Sequence, residues 1–87
     1  MTMTVEPIYG NGWTDGRGDV PEPSTFTIEA KRTDNGAISG RIIASGDARL
    51  TGATFEATPR HVAPDSLYNC QIECEGGATL AGYCKIS

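Results

Sequence analysis

Residues 67–86 read LYNCQIECEGGATLAGYCKI, and the alternation of apolar and polar side chains on both sides of Gly76 and Gly77 predicts a β-hairpin. Side chains two apart share a face of a strand, so Cys70, Ile72 and Cys74 lie together, as do Leu80, Gly82 and Cys84. With Gly76, Gly77 and Ala78 as the connection, Glu75 pairs with Thr79. Cys74 then opposes Leu80, Ile72 opposes Gly82, and Cys70 opposes Cys84. Asn69, Gln71, Glu73, Tyr83 and Lys85 point outward. All the cysteines therefore fall on the buried face, where they read as small core residues.

That register decides between chemistries. Cys70, Cys74 and Cys84 with His61 would make an attractive zinc set, but a strand rising about 3.3 Å per residue holds Cys70 and Cys74 roughly 13 Å apart. Sulfurs bound to one zinc lie within roughly 4 Å of each other, given bonds of about 2.3 Å. No metal site is expected. Cys70 and Cys84 are the pair the hairpin brings face to face, so a disulfide between them is geometrically allowed, with Cys74 left as a core residue. A catalytic thiol needs a neighbouring base and an exposed, electropositive setting. His61 is the only histidine and lies in a loop, so no catalytic residue, and hence no enzyme, is expected.

Upstream, Phe26, Ile28 and Ala30 alternate with Thr27, Glu29 and Lys31 as a half-buried strand. If Asp34, Asn35 and Gly36 form a three-residue turn with Gly36 left-handed, Ala30 faces Gly40, Ile28 faces Ile42 and Phe26 faces Ala44. A two-residue turn on Asn35 and Gly36 would set Ala30 against Arg41, so the apolar pattern selects the longer one and leaves Ile43 outward. Residues 47–52 are compatible with a short strand or with one helical turn capped by Asp47. Ala53, Phe55 and Ala57 alternate in a further strand stopped by Pro59. At the start, Thr2, Thr4, Val5 and Ile8 form a strand that Pro7 confines to an edge or end position. The sum is one all-β domain over 1–87: a small antiparallel sandwich or barrel of about five or six short strands built from hairpins.

Length and charge narrow the function. A chain of 87 residues buries only roughly 60 to 65% of its unfolded surface. With 38% hydrophobic residues, eleven glycines and five prolines it forms a core and many turns. The net charge of -4, with Arg41, Arg49 and Arg60 scattered, gives no footprint for direct nucleic-acid binding. No apolar stretch approaches a membrane span, no leader is recognisable, and the odd cysteine count fits a reducing compartment. A cytoplasmic location in a bacterial host, no membrane partner and no cofactor are the expectations.

Two irregular stretches carry the binding candidates: the glycine- and proline-rich segment at about 9–24, and 59–66. Tyr9, Trp13, Arg17, Arg60 and His61 supply aromatic and arginine anchors, and Asp15, Asp19, Glu73 and Glu75 supply charge toward a basic partner surface. Arg17, Gly18 and Asp19 spell an adhesion tripeptide but sit among turn formers, and Asp15 and Asp19 lack the spacing of a calcium loop. In size and acidity the chain is similar to phage proteins that disable bacterial defence, the anti-CRISPR proteins among them. That resemblance is one of general character, carried by no motif. It implies a small acidic non-catalytic inhibitor from a phage or mobile element, a monomer or weak homodimer, that sterically blocks a larger host protein or ribonucleoprotein complex. The alternatives are a structural β module of a virion or appendage, and a small metal-binding or thiol-based protein.

Overall fold

The computed structural model describes residues 1–8, 24–60, 67–74, 77 and 79–87. Six strands follow one another: β1 Thr2–Ile8, β2 Phe26–Arg32, β3 Ile38–Ala44, β4 Thr54–Pro59, β5 Leu67–Glu73 and β6 Thr79–Ile86. Each pairs antiparallel with the next, and β6 returns to β1, so the sheet closes into a barrel. Closure selects the barrel over the sandwich, and it leaves no edge strand. Among the described residues no helix is long and apolar enough to cross a membrane.

Pro7 fits this closed sheet for a specific reason. The amide and carbonyl of Thr4 bond to Ser87 beside β6, whereas the carbonyl of Met1 accepts from Ala30 in β2. Alternate residues of β1 thus serve alternate neighbours, and Pro7 turns its nitrogen toward β2. The β1–β2 pairing ends at Val5 and Phe26, so the missing N–H has no partner to disappoint. β1 is not an edge; Pro7 occupies its end.

The β2–β3 hairpin carries the three-residue turn. Thr33 and Ala37 close it through Thr33 N–H donating to the Ala37 carbonyl at 2.8 Å, and Gly36 has φ of +85°. Ala30 pairs with Gly40 and Ile28 with Ile42. Beyond them the expected register fails: a bulge between Thr27 and Ile28 sets Thr27, not Phe26, opposite Ala44. The bulge adds bend and twist where the sheet must curl, which the apolar pattern does not encode. Residues 47–52 form consecutive turns and not a strand, with the Leu50 amide donating to the Asp47 carbonyl at 3.0 Å. Leu50 is buried and so caps the core from outside any strand.

The closing hairpin has the expected faces but another register. Glu73, not Glu75, pairs with Thr79; Ile72 opposes Leu80, Cys70 opposes Gly82 and Tyr68 opposes Cys84. The connection therefore starts at Cys74 rather than Gly76. A slip of two residues keeps every side chain on its own face, so alternation alone does not discriminate. Interior layering does: Leu80, Ile72, Phe55, Gly40 and Ala30 follow one another around the barrel, and Gly82, Cys70, Ala57 and Ile38 form the next row. Moving β6 by two would put Gly82 beside Ile72 and leave a void next to Phe55.

Inside the barrel Phe26 and Phe55 meet edge to face, ring centroids 5.7 Å apart. Around them pack Val5, Ile28, Ile38, Ile42, Leu50, Ile72 and Leu80, all fully buried. Cys70 and Cys84 join in a disulfide with Cα atoms 6.2 Å apart, diagonal neighbours across β5 and β6 and not directly opposed. Cys74 lies outside that bond and is buried.

Candidate functional site

With the interior filled by side chains, the surfaces left for recognition are the outer faces. Tyr83 is the large aromatic residue of β6 that alternation turns outward, and it is half-buried there. Its cross-strand neighbours are Ile8 of β1 and Asn69 of β5. The Arg60 guanidinium lies over its ring, 4.3 Å from the centroid. Arg60 itself is fixed at the end of β4, where its amide donates to the Leu67 carbonyl at 3.0 Å. One row further along the strands, Lys85 stands between Glu6 and Leu67.

Connectivity gives this patch its position. The chain leaves the described barrel at Ile8, directly beside Tyr83, and leaves it again at Arg60, which covers the ring. Segments 9–23 and 61–66 both start from residues that touch or flank Tyr83. Of the sequence-derived candidates, Tyr9, Trp13, Asp15, Arg17, Asp19, His61 and Glu75 lie outside the described residues. Arg60 and Glu73 lie within them, but the fold separates the two. Glu73 sits at the far end of β5, paired with Thr54 and Thr79, on a polar face with Glu56 and Gln71. Glu56 and Glu73 are exposed and form no ion pair among the described residues.

The other described arginines are occupied. Arg32 donates to the Tyr68 hydroxyl at 3.0 Å, Arg41 to the Gly52 carbonyl at 3.1 Å, and Arg49 to the Asp47 carboxylate at 2.9 Å. Arg49 holds the Asp47 carboxyl below its ordinary range, through a side-chain hydrogen bond and its own backbone amide. Glu29 is also lowered, chiefly by the hydrogen bond from the Met1 ammonium, then by the Thr2 hydroxyl. These groups tie turns and strands together. Arg60 differs: its guanidinium lies over a ring and donates to no acceptor among the described residues.

Sequence reasoning singled out Arg60 and passed over Tyr83 as a binding residue. The signal was present, since outward parity on β6 combined with an aromatic ring is rare on this chain; what was missing was the diagonal that brings Arg60 across β5 to meet it. Comparison with family models, with curated proteins and with solved structures finds no match to this chain.

Proposed function

We infer that this is a small acidic binding protein without catalysis, which acts by covering a surface of a larger partner. The observation that carries the reading is the outward Tyr83 ring under the Arg60 guanidinium, placed where segments 9–23 and 61–66 begin. Tyrosine and arginine are enriched among the few residues that dominate the energetics of protein interfaces. A rigid barrel fixes the pair in place. By its size and charge the chain fits an inhibitor of phage or mobile-element origin that sterically blocks a host defence complex.

Expression of the chain in bacteria whose nucleic-acid-guided defence targets an infecting phage tests this reading. Plaquing should rise with the wild-type protein and fall back with Tyr83→Ala or Arg60→Ala, both folded by circular dichroism. Unchanged plaquing across such systems would count against it. A virion or appendage module assembled through an open sheet edge has less support, because the β1–β6 pairing occupies both edges.

A further inference from the structure

Arg60 and Tyr83 also define what kind of group the patch takes. Arg32, Arg41 and Arg49 each donate to an acceptor inside the protein, whereas the Arg60 guanidinium meets no such acceptor among the described residues. The guanidinium sits over the ring, and with no acceptor for it among the described residues its N–H groups are available to one from outside; an arginine fork matches a carboxylate. Lys85, exposed in the adjacent row, adds a second positive charge; Glu6 faces it across β1 and β6 but makes no ion pair with it among the described residues. Ile8 and Leu67, both half-buried, flank the charged groups with apolar surface.

We propose that this surface docks a partner segment bearing a carboxylate beside an apolar side chain, the carboxylate bound by Arg60 over Tyr83 and the apolar group against Ile8 or Leu67. The inference rests on the binding reading above and names the partner's chemistry. The net charge of -4 shapes the motif. Beyond about 8 Å at physiological salt the repulsion between this chain and an acidic partner is screened, but a long acidic tract would still meet Glu6, which faces Lys85. The patch therefore suits one or two carboxylates and not a polyacidic run.

Selection of a displayed random-peptide library on the immobilised full chain, with Arg60→Ala as counter-target, tests this directly. Enriched peptides should carry Asp or Glu at a fixed place next to an apolar residue. A synthetic representative should lose roughly ten- to hundredfold in affinity on Arg60→Ala, and again when its own carboxylate is replaced by an amide. Lys31→Ala, on the exposed part of β2, should leave it unchanged. Three outcomes would overturn the proposal: no enrichment, enriched peptides lacking carboxylates or binding Arg60→Ala equally well, or Arg60-dependent binding of a single-stranded oligonucleotide in place of peptides. If plaquing depends on Tyr83 while carboxylate dependence is absent, this inference alone fails. If carboxylate peptides bind and plaquing never responds, the inhibitor reading alone fails.

Discussion

Replacing Gly40 by alanine pits two general arguments against each other. Glycine in a strand interior normally weakens it, and removing its freedom in the unfolded chain stabilises a compatible site by about 0.4 to 1 kcal/mol. Here the sign reverses. A Cβ built on Gly40 would lie 2.1 Å from the Glu29 carbonyl oxygen, 2.6 Å from the Ala30 Cα and 2.7 Å from the Ala30 Cβ. Non-bonded heavy atoms sit comfortably at about 3.5 Å, so β2 and β3 must part by more than an ångström locally. Two of the three obstructing atoms are backbone, and no rotamer relieves them. Overpacking of this kind costs about 1 to 3 kcal/mol, and immovable backbone puts Gly40→Ala at the upper end. An 87-residue chain has in all roughly 4 to 13 kcal/mol of stability. At about 4 to 8 °C per kcal/mol for a domain this size, Tm should fall by roughly 12 to 24 °C. Urea unfolding followed by circular dichroism should show the same loss with an unchanged slope. Trimming the partner in Gly40→Ala/Ala30→Gly should not restore stability, because the nearest atom is the Glu29 oxygen. A Gly40→Ala protein as stable as wild type would refute the close β2–β3 approach on which the barrel's curl depends.

Reducing the Cys70–Cys84 bond, whose ends are 14 residues apart, should cost about 3 kcal/mol on unfolding, most of it through a freer denatured chain. Alkylation of unfolded, unreduced protein followed by intact mass checks the premise: labelling at Cys74 alone supports the bond, and labelling at all cysteines contradicts it. Leu50→Ala should lose about 2 to 5 kcal/mol although Leu50 belongs to no strand, because its side chain is fully buried; a loss within 0.5 kcal/mol of a surface substitution would show that it does not seal the core. Asp47 has its folded pKa below the unfolded value, so its contribution is present above the unfolded pKa near 3.8 and disappears as pH falls through the acid range. Asp47→Asn should therefore flatten the acid limb of the stability curve, and a carboxyl titration by NMR that places Asp47 at or above its ordinary value would refute the Arg49 pairing.

Much of the fold follows from alternation. The two faces of β2, β4, β5 and β6, the turn at Gly36 and the buried position of every cysteine come from a period of two acting with turn chemistry, both local properties of the chain. Local rules also leave definite gaps. A two-residue slip preserves faces, so the pairing of Cys70 with Gly82 and of Glu73 with Thr79 waits on how large and small side chains layer inside the barrel. The bulge at Thr27 and Ile28 and the tolerance of β1 for Pro7 depend in the same way on neighbouring strands.

The candidate site divides likewise. That Tyr83 faces outward is written in strand parity, whereas Arg60 lies just past Pro59, where the sequence shows only an irregular stretch. That they meet is a property of strands placed side by side, since β5 lies between them and only the β4–β5 and β5–β6 registers together bring one across to the other. Sheet closure has the same origin: the sequence specifies strands with one apolar face, and burying those faces on one another can make either a sandwich or a barrel. The β1–β6 pairing, formed between residues at opposite ends of the chain, is the long-range contact that chose the barrel and set Ile8 beside Tyr83.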